Sequence, residues 1–96
     1  MKLLFIMKKF ELHPVNGRKS FGRKCFVIEE SGISTLESYH TEVAQYNHAT
    51  NKIQIFGYYS ATTLTHINAF LVYYGFDVCT KKEIEKLILD YKSTNK

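Results

Sequence analysis

The stretch GYYSATTLTHINAFLVYYGF, residues 57–76, decides the fold because it predicts a complete helix without a single charged residue. Ser60 is a favourable N-cap residue, and Gly75 stands where a helix-terminating glycine is expected. Between them, apolar residues recur at the spacing of one helical face. This predicted core stripe consists of Leu64, Ile67, Phe70, Leu71 and Tyr74.

The opposite side of this helix is uncharged as well, although a surface helix normally carries charge on its solvent face. Either another part of the chain, such as a C-terminal helix, covers this side, or it is a contact surface. Interface cores are poor in charge and rich in tyrosine, so the sequence predicts protein binding here. The candidate protein-binding residues are Tyr59, Thr62, Thr65, His66, Val72 and Tyr73, with Ala69 placed on the same side.

Upstream of the helix the sequence alternates as strands do. Residues 8–15 predict a short strand at a sheet edge, since Pro14 cannot donate to a ladder. Residues 25–30 are apolar on both faces and predict a central strand, and residues 34–47 predict one half-exposed strand. Residues 52–59 predict another. Short turns between these segments indicate an antiparallel meander of three or four strands.

A second helix is predicted after the first. Thr80 and Glu83 form a capping box, and a narrow apolar face follows, made of Ile84, Leu87, Ile88 and Tyr91. The fold class is therefore α+β, with an antiparallel sheet followed by two C-terminal helices packed on one face. Residues 1–96 are expected to form a single small domain.

Composition and charge limit the class of protein. The 96 residues carry a net charge of +4, with the basic excess near both ends of the chain. The apolar run at residues 3–7 is shorter than a signal-peptide core, and no stretch could span a membrane. We expect a cytoplasmic protein without a membrane partner, in which Cys25 and Cys79 are reduced thiols.

Catalysis is not expected. Ser60, Thr62, Thr63 and His66 share the predicted helix, but no acid in that helix could orient the histidine as a base. The cysteines and histidines also lack the close paired spacing of a zinc site. The sequence therefore predicts a protein that is not an enzyme and has neither a metal nor another cofactor.

A basic segment offers a different kind of site. Clustered cations beside an aromatic ring could hold phosphate and stack a base, which would indicate contact with nucleic acid. The alternative is a solvated turn whose charges serve solubility. The candidate nucleic-acid-binding residues are Arg18, Lys19, Phe21, Arg23 and Lys24.

Three segments carry a resemblance to a known family: KSFGRKC (residues 19–25), SYHTEVA (38–44) and GYYSATTLTHINAF (57–70). The chain resembles a family of small uncharacterised domains found in phages, plasmids and genomes of Gram-positive bacteria. The third segment is similar to that family's pattern of aromatic-Ser-x-Thr-Thr-x-x-His-Ile-x-x-Phe. It departs at Leu64-Thr65, where relatives often carry Met and a basic residue, and at Ala69, where an acidic residue is common.

The resemblance implies a function in a phage or mobile element. Small proteins of this origin often bind a host enzyme or defence complex, so we expect a non-enzymatic protein that binds a host protein or ribonucleoprotein complex. An inhibitor of a defence nuclease, similar to an anti-CRISPR protein and acting by steric occlusion in the host cytosol, is the most concrete version. The alternative is a small basic nucleic-acid-binding or regulatory protein. A homodimer formed through the uncharged helix is compatible with either.

Overall fold

The computed structural model describes residues 7–13, 24–57 and 61–94. Within them, five strands form one antiparallel sheet in the order of the chain, and two helices follow. The elements are β1 (Lys8–Glu11), β2 (Cys25–Glu30), β3 (Ile33–Ser38), β4 (Thr41–Asn47), β5 (Lys52–Ile55), α1 (Ala61–Tyr73) and α2 (Lys81–Thr94). The predicted α+β class and the two C-terminal helices are confirmed, whereas the sheet has five strands rather than three or four.

The extra strand comes from a hairpin that the sequence conceals. Residues 34–47 were predicted as one strand, but the chain reverses at Tyr39 and His40, where φ is 52° and 68°. Two successive residues with positive φ form the type of two-residue turn that usually carries Asn-Gly. Because neither residue is a typical turn former, period-2 alternation continues through the turn and hides it.

A β-bulge in the β3–β4 pair adds a second apolar side chain to the core. Leu36 pairs with Ala44, but the next pair joins Glu37 to Glu42, so Val43 is the extra residue. Both Val43 and Ala44 are fully buried. Two adjacent strand residues thus contribute to the same face, which regular alternation would forbid.

Helix α1 packs its apolar side on the sheet. Ile67, Phe70 and Leu71 are buried in one cluster with strand residues such as Leu36 and Ile55. Burial of each large apolar side chain contributes roughly 1.5–3 kcal/mol, so this face holds the helix on the sheet. The predicted core stripe is confirmed, although Leu64 and Tyr74 are only partly buried.

The end of α1 follows from the predicted glycine. Gly75 has φ of 89°, the Phe76 amide donates to the Leu71 carbonyl at 2.8 Å, and the Gly75 amide donates to the Val72 carbonyl at 3.0 Å. These two bonds form a Schellman motif, which satisfies carbonyls that the helix end leaves open. Ser60, the predicted N-cap, lies outside the described residues, as does Pro14 of the predicted edge strand.

Helix α2 begins at the predicted capping box. The Thr80 amide donates to Glu83 Oε1 at 2.7 Å, and the Glu83 amide donates to Thr80 Oγ1 at 3.2 Å. Ile84 is fully buried, and Tyr91 packs on Phe56 with ring centroids 4.7 Å apart. Helix α2 contacts β5, the last strand of the sheet, so β1 is the edge strand at the opposite side.

Two further expectations concern membrane-spanning helices and the state of the two cysteines. No helix in the described part combines the length and apolar character that crossing a bilayer requires. Cys25 is buried, Cys79 is partly buried, and both are free thiols.

Candidate functional site

Helix α1 has exposed residues near both of its ends. Thr62, Thr65, Val72 and Tyr73 are all solvent-accessible, and we call these four residues the outer face. Tyr73 is 53% exposed and Val72 is 39% exposed. Four of the predicted protein-binding residues are therefore exposed, two near the start of α1 and two near its end. Tyr59, the first of the predicted set, lies outside the described residues.

Tyr73 connects the outer face to the edge strand β1. Its ring centroid lies 5.3 Å from that of Phe10, and the Lys8 ammonium lies 5.4 Å from the Phe10 ring centroid. Lys8, Phe10 and Tyr73 thus form a continuous strip, in which a cation rests on an aromatic ring that contacts a second ring. Packing against Phe10 holds the exposed Tyr73 ring in place, which reduces the entropy it would lose on binding.

His66 does not belong to the outer face, and its placement there is corrected by the structure. The side chain is fully buried, and Nδ1 lies 2.7 Å from Ser38 Oγ on β3. The Tyr39 ring packs on it with centroids 5.6 Å apart. Burial lowers the pKa of His66 because the interior disfavours the charged imidazolium. The histidine therefore joins α1 to the β3–β4 hairpin.

Ala69 is likewise a core residue rather than a surface one. Helical spacing places it between Thr65 and Tyr73, on the outer side, but only 1% of it is exposed. The centre of the outer face is therefore buried, and the exposed residues Thr65 and Tyr73 lie on either side of it.

A polar network that the sequence did not predict lies beside the end of α1. Ser34 Oγ and His48 Nε2 are 2.6 Å apart, and the Tyr74 hydroxyl donates to Glu29 Oε2 at 2.6 Å. Ser34 Oγ also lies 3.5 Å from Glu29 Oε2, at the outer limit of a hydrogen bond. These four residues come from β2, β3, the β4–β5 turn and the residue that follows α1.

The network combines the residue types of a hydrolytic triad without its geometry. A triad needs an acid on the imidazole and a nucleophile that a substrate can reach. Here the Glu29 carboxylate contacts Ser34 and Tyr74, and Ser34 is fully buried. The arrangement is suited to holding elements together rather than to acyl transfer.

Aromatic rings surround this network. The Tyr46 ring lies 4.6 Å from His48 and 4.9 Å from Tyr74, measured between centroids, and the Tyr46 hydroxyl donates to Asn51 Oδ1 at 2.7 Å. One signal could have revealed part of the network. Glu29 pairs directly with Ser34 across the turn at Ser31-Gly32, so a hairpin assigned there would have placed them side by side.

Of the predicted nucleic-acid site, Lys24 alone lies in the described part of the chain. Arg18, Lys19, Phe21 and Arg23 lie outside the described residues, whereas Lys24 is exposed, with its ammonium 5.6 Å from the Tyr39 ring centroid.

The excess of basic residues lies outside the described part of the chain. The chain has 13 basic residues, of which five lie outside the described residues: Lys2, Arg18, Lys19, Arg23 and Lys96. The other eight are lysines, and they stand against all nine carboxylates, which gives the described part a net charge of −1. The net positive charge of the chain therefore comes from those five residues.

A groove of about 450 Å³ runs between β5 and α2. Its lining mixes uncharged amides such as Gln45 and Gln54 with Lys52, Asp90 and Tyr91. Such a surface could contact a small polar molecule. For metals, the described ranges contain no group of three His, Cys, Asp or Glu side chains that could share an ion.

These features define the class of protein by its fold, a five-stranded antiparallel meander followed by two helices. The chain belongs to a family of unknown function, DUF8033, whose model matches residues 9–86. This agrees with the resemblance to a family of small uncharacterised domains, while the occurrence in phages and mobile elements stays a prediction. No curated protein and no solved structure matches the chain.

Proposed function

We propose that this protein is a non-enzymatic binding protein and that the outer face of α1 is its contact surface for a partner protein. The observation that supports this most strongly is the exposure of Tyr73, which is 53% accessible although it stands next to Val72 on an uncharged helix. Tyrosine is among the residues that most often dominate the binding energy of interfaces. Full burial of an apolar side chain of this size contributes roughly 1.5–3 kcal/mol.

The burial of Ser34 and His66 favours a binding function over catalysis. Ser34 and His66 are fully buried, and their hydrogen-bond partners come from neighbouring elements of the fold. A catalytic nucleophile or base must reach a substrate. Ser34 and His66 are thus engaged in stabilising the fold, and the outer face of α1 consists of threonine, valine and tyrosine.

The partner that we propose is a host nucleic-acid-handling complex. This part of the proposal rests on the resemblance to small proteins of phages and mobile elements in Gram-positive bacteria. In its most specific form, the protein inhibits a defence nuclease in the host cytosol, as anti-CRISPR proteins do, by covering a surface that the nuclease needs. The mechanism is steric, since an uncharged helix face cannot imitate the charge of DNA.

Affinity purification from a Gram-positive host lysate tests this proposal. We expect the protein to capture a nucleic-acid-handling enzyme, and we expect Tyr73→Glu to lose it because a buried, unpaired carboxylate opposes binding. Leu89→Glu is the matched control, since Leu89 is 65% exposed but lies on α2. Failure to recover any nucleic-acid-handling protein, or equal capture by Tyr73→Glu, would contradict the proposal.

A second candidate function is nucleic-acid binding through the basic segment of Arg18, Lys19, Phe21, Arg23 and Lys24. It is favoured by one observation, the exposed Lys24 beside the exposed Tyr39 ring. Binding of single-stranded oligonucleotides across salt concentrations tests it. Phosphate contacts give a steep fall in affinity with salt. A flat response would exclude this function, and so would undiminished binding by a variant with Arg18, Lys19 and Arg23 changed to alanine.

A further inference from the structure

The groove between β5 and α2 brings hydrogen-bonding and apolar side chains together. Gln45 on β4 stands directly opposite Gln54 on β5, and the next pair on the same face of the sheet is Asn47 and Lys52. All four side chains line the groove. Its aliphatic lining comes from the sheet and from α2: Ile33, Ile53 and Leu87. The volume of about 450 Å³ falls within the roughly 300–1,000 Å³ of small-molecule sites.

The carboxamides of the groove keep hydrogen-bonding capacity for a ligand. A carboxamide has two N–H donors and an acceptor oxygen. Gln45 uses one donor on Thr35 Oγ1, at 3.3 Å, and Asn47 Oδ1 accepts from two main-chain amides of the following turn, at 2.9 and 3.2 Å. These bonds fix both side chains and leave the Gln45 oxygen and the Asn47 amino group to a ligand. Gln54 is exposed and adds a second carboxamide beside Gln45.

From this set of groups we propose that the groove binds a nucleobase, the flat heteroaromatic ring of a nucleoside or of an unpaired nucleotide. Such a ring has apolar faces and an edge that carries donors and acceptors, and glutamine can bind that edge through both of its polar atoms. In a directly opposed strand pair the Cβ atoms of Gln45 and Gln54 are about 4.5–5.5 Å apart, so both amides reach one edge. Leu87 and Ile53 then contact the faces of the ring.

The charges of the groove favour the base over the phosphate as the recognised group. Among the described residues its charged lining consists of Lys52 and Asp90, one of each sign, so this lining has no net charge. An anion gains little from such a surface, and binding should therefore depend only weakly on salt, unlike phosphate contact. A saccharide fits less well, because hydroxyls all round its ring would meet the aliphatic side chains unpaired.

The site is pre-formed, which lowers the entropy lost on binding. Tyr91, another lining residue on α2, packs on Phe56 with ring centroids 4.7 Å apart, and Gln45 is held by Thr35. The groove is built from β3, β4, β5 and α2, whereas the outer face belongs to α1. The inference therefore goes beyond the proposed function and does not depend on it.

Nuclear magnetic resonance titration of the full, isotope-labelled chain with adenosine and with uridine tests the proposal, at ligand concentrations up to about 10 mM. We expect shifts in the side-chain amides of Gln45 and Gln54 and in the main-chain amide of Leu87, with a dissociation constant on the order of 1 mM. Raising the salt from about 50 to about 500 mM should change that constant by less than about twofold, and adenosine monophosphate should bind within about threefold of adenosine.

A single-stranded adenosine trinucleotide, titrated at the higher salt concentration, distinguishes the two sources of the base. If it binds more tightly than adenosine, the natural ligand is an unpaired base of a strand. If it binds equally or more weakly, the ligand is a free nucleoside. Both results require the same contacts with Gln45 and Gln54 and support the site.

Gln54→Leu should weaken adenosine binding roughly tenfold or more, since it removes a donor and an acceptor from the edge of the base. Gln54 is exposed, so the variant should fold, and its amide spectrum verifies this. Gln45→Leu is the second variant and should have the same effect. Thr41→Val is the matched control, because it removes a polar group at an exposed position of β4 that does not line the groove.

Four results would each overturn the proposal. They are the absence of shifts at the highest nucleoside concentration, shifts that fall away from the groove, and adenosine binding by Gln54→Leu that equals that of the wild type. The fourth is an equal response to glucose or to glycylglycine, which offer hydroxyls or an amide without a flat ring.

Discussion

The Tyr74 hydroxyl donates a 2.6 Å hydrogen bond to Glu29 Oε2, which joins the end of α1 to β2 across 45 positions of sequence. Burial raises the pKa of Tyr74, and the hydrogen bond to Glu29 raises it further. Tyr74 is therefore a neutral donor at physiological pH, whereas the adjacent Tyr73 is exposed. Two consecutive tyrosines thus divide the roles of anchoring the helix and forming its candidate contact surface.

Removing the Tyr74 hydroxyl should destabilise the fold. In Tyr74→Phe the Glu29 carboxylate loses a charge-assisted hydrogen bond, and the expected loss is about 1–2 kcal/mol in the free energy of unfolding. Urea denaturation measures it. Tyr73→Phe is the matched control and should change stability by less than about 0.5 kcal/mol, because Tyr73 is exposed. Equal effects of the two substitutions would show that the Tyr74–Glu29 bond does not anchor the helix.

Stability should depend on pH through His66. Burial lowers the pKa of His66 in the folded state, so the unfolded chain binds a proton first as the pH falls. The stability that the neutral His66 contributes is fully present above the unfolded pKa of about 6.5. It is lost as the pH falls toward the lower pKa that His66 has in the folded state.

Urea midpoints between about pH 7.5 and 5 should decrease less steeply for His66→Gln than for the wild type. The variant retains His13, His40 and His48, so the difference in slope isolates His66. Parallel slopes would refute the buried, neutral histidine.

The β3–β4 turn should be improved by glycine. His40 has φ of 68° and is exposed, and a left-handed conformation costs a non-glycine residue roughly 1–2 kcal/mol. Glycine removes that strain, but its greater conformational freedom in the unfolded chain offsets part of the gain. His40→Gly should therefore stabilise the protein by about 0.5–1 kcal/mol. The opposite change, Gly32→Ala at φ of 81°, should destabilise it by a similar amount. Thermal denaturation measures both, and a destabilised His40→Gly variant would count against this interpretation of the turn.

Cys25 should be almost unreactive in the folded protein. Burial raises the pKa of Cys25 to about 12, and the nearby Glu11 carboxylate adds to this effect. The thiolate is the reactive form of cysteine. In a Cys79→Ser variant, Cys25 should therefore react with an aromatic disulfide reagent at pH 8 roughly a hundredfold or more slower in the folded protein than in denaturant. A folded rate within about tenfold of the denatured rate would mean that β2 opens readily.

The local signals of this sequence are strong, and the elements that rely on them were predicted correctly. The Thr80–Glu83 capping box and the helix end at Gly75 depend on residues within about one turn of each other. Both can therefore be predicted from short sequence patterns. The Tyr39-His40 turn has no such marker, because tertiary contacts hold two unfavourable residues there. Tyr39 packs on both His66 and Lys24, which are distant in sequence.

The candidate site was predictable only where it depends on helical spacing. Thr62, Thr65, Val72 and Tyr73 are exposed as spacing indicates, but His66 and Ala69 are buried. His66 is buried because Ser38, brought beneath it by the β3–β4 hairpin, satisfies its Nδ1 atom. The contact of Tyr73 with Phe10 and that of Tyr74 with Glu29 likewise depend on strand order, which periodicity does not specify.

The affinity of purified variants for the captured partner tests the central proposal most directly. We expect Tyr73→Glu to raise the dissociation constant by roughly 30-fold or more, the effect of losing a hot-spot residue. Leu89→Glu, with the same charge change at a more exposed apolar residue of α2, should bind within about twofold of the wild type. Equal affinities for wild type and Tyr73→Glu would contradict the proposal that the outer face of α1 binds the partner.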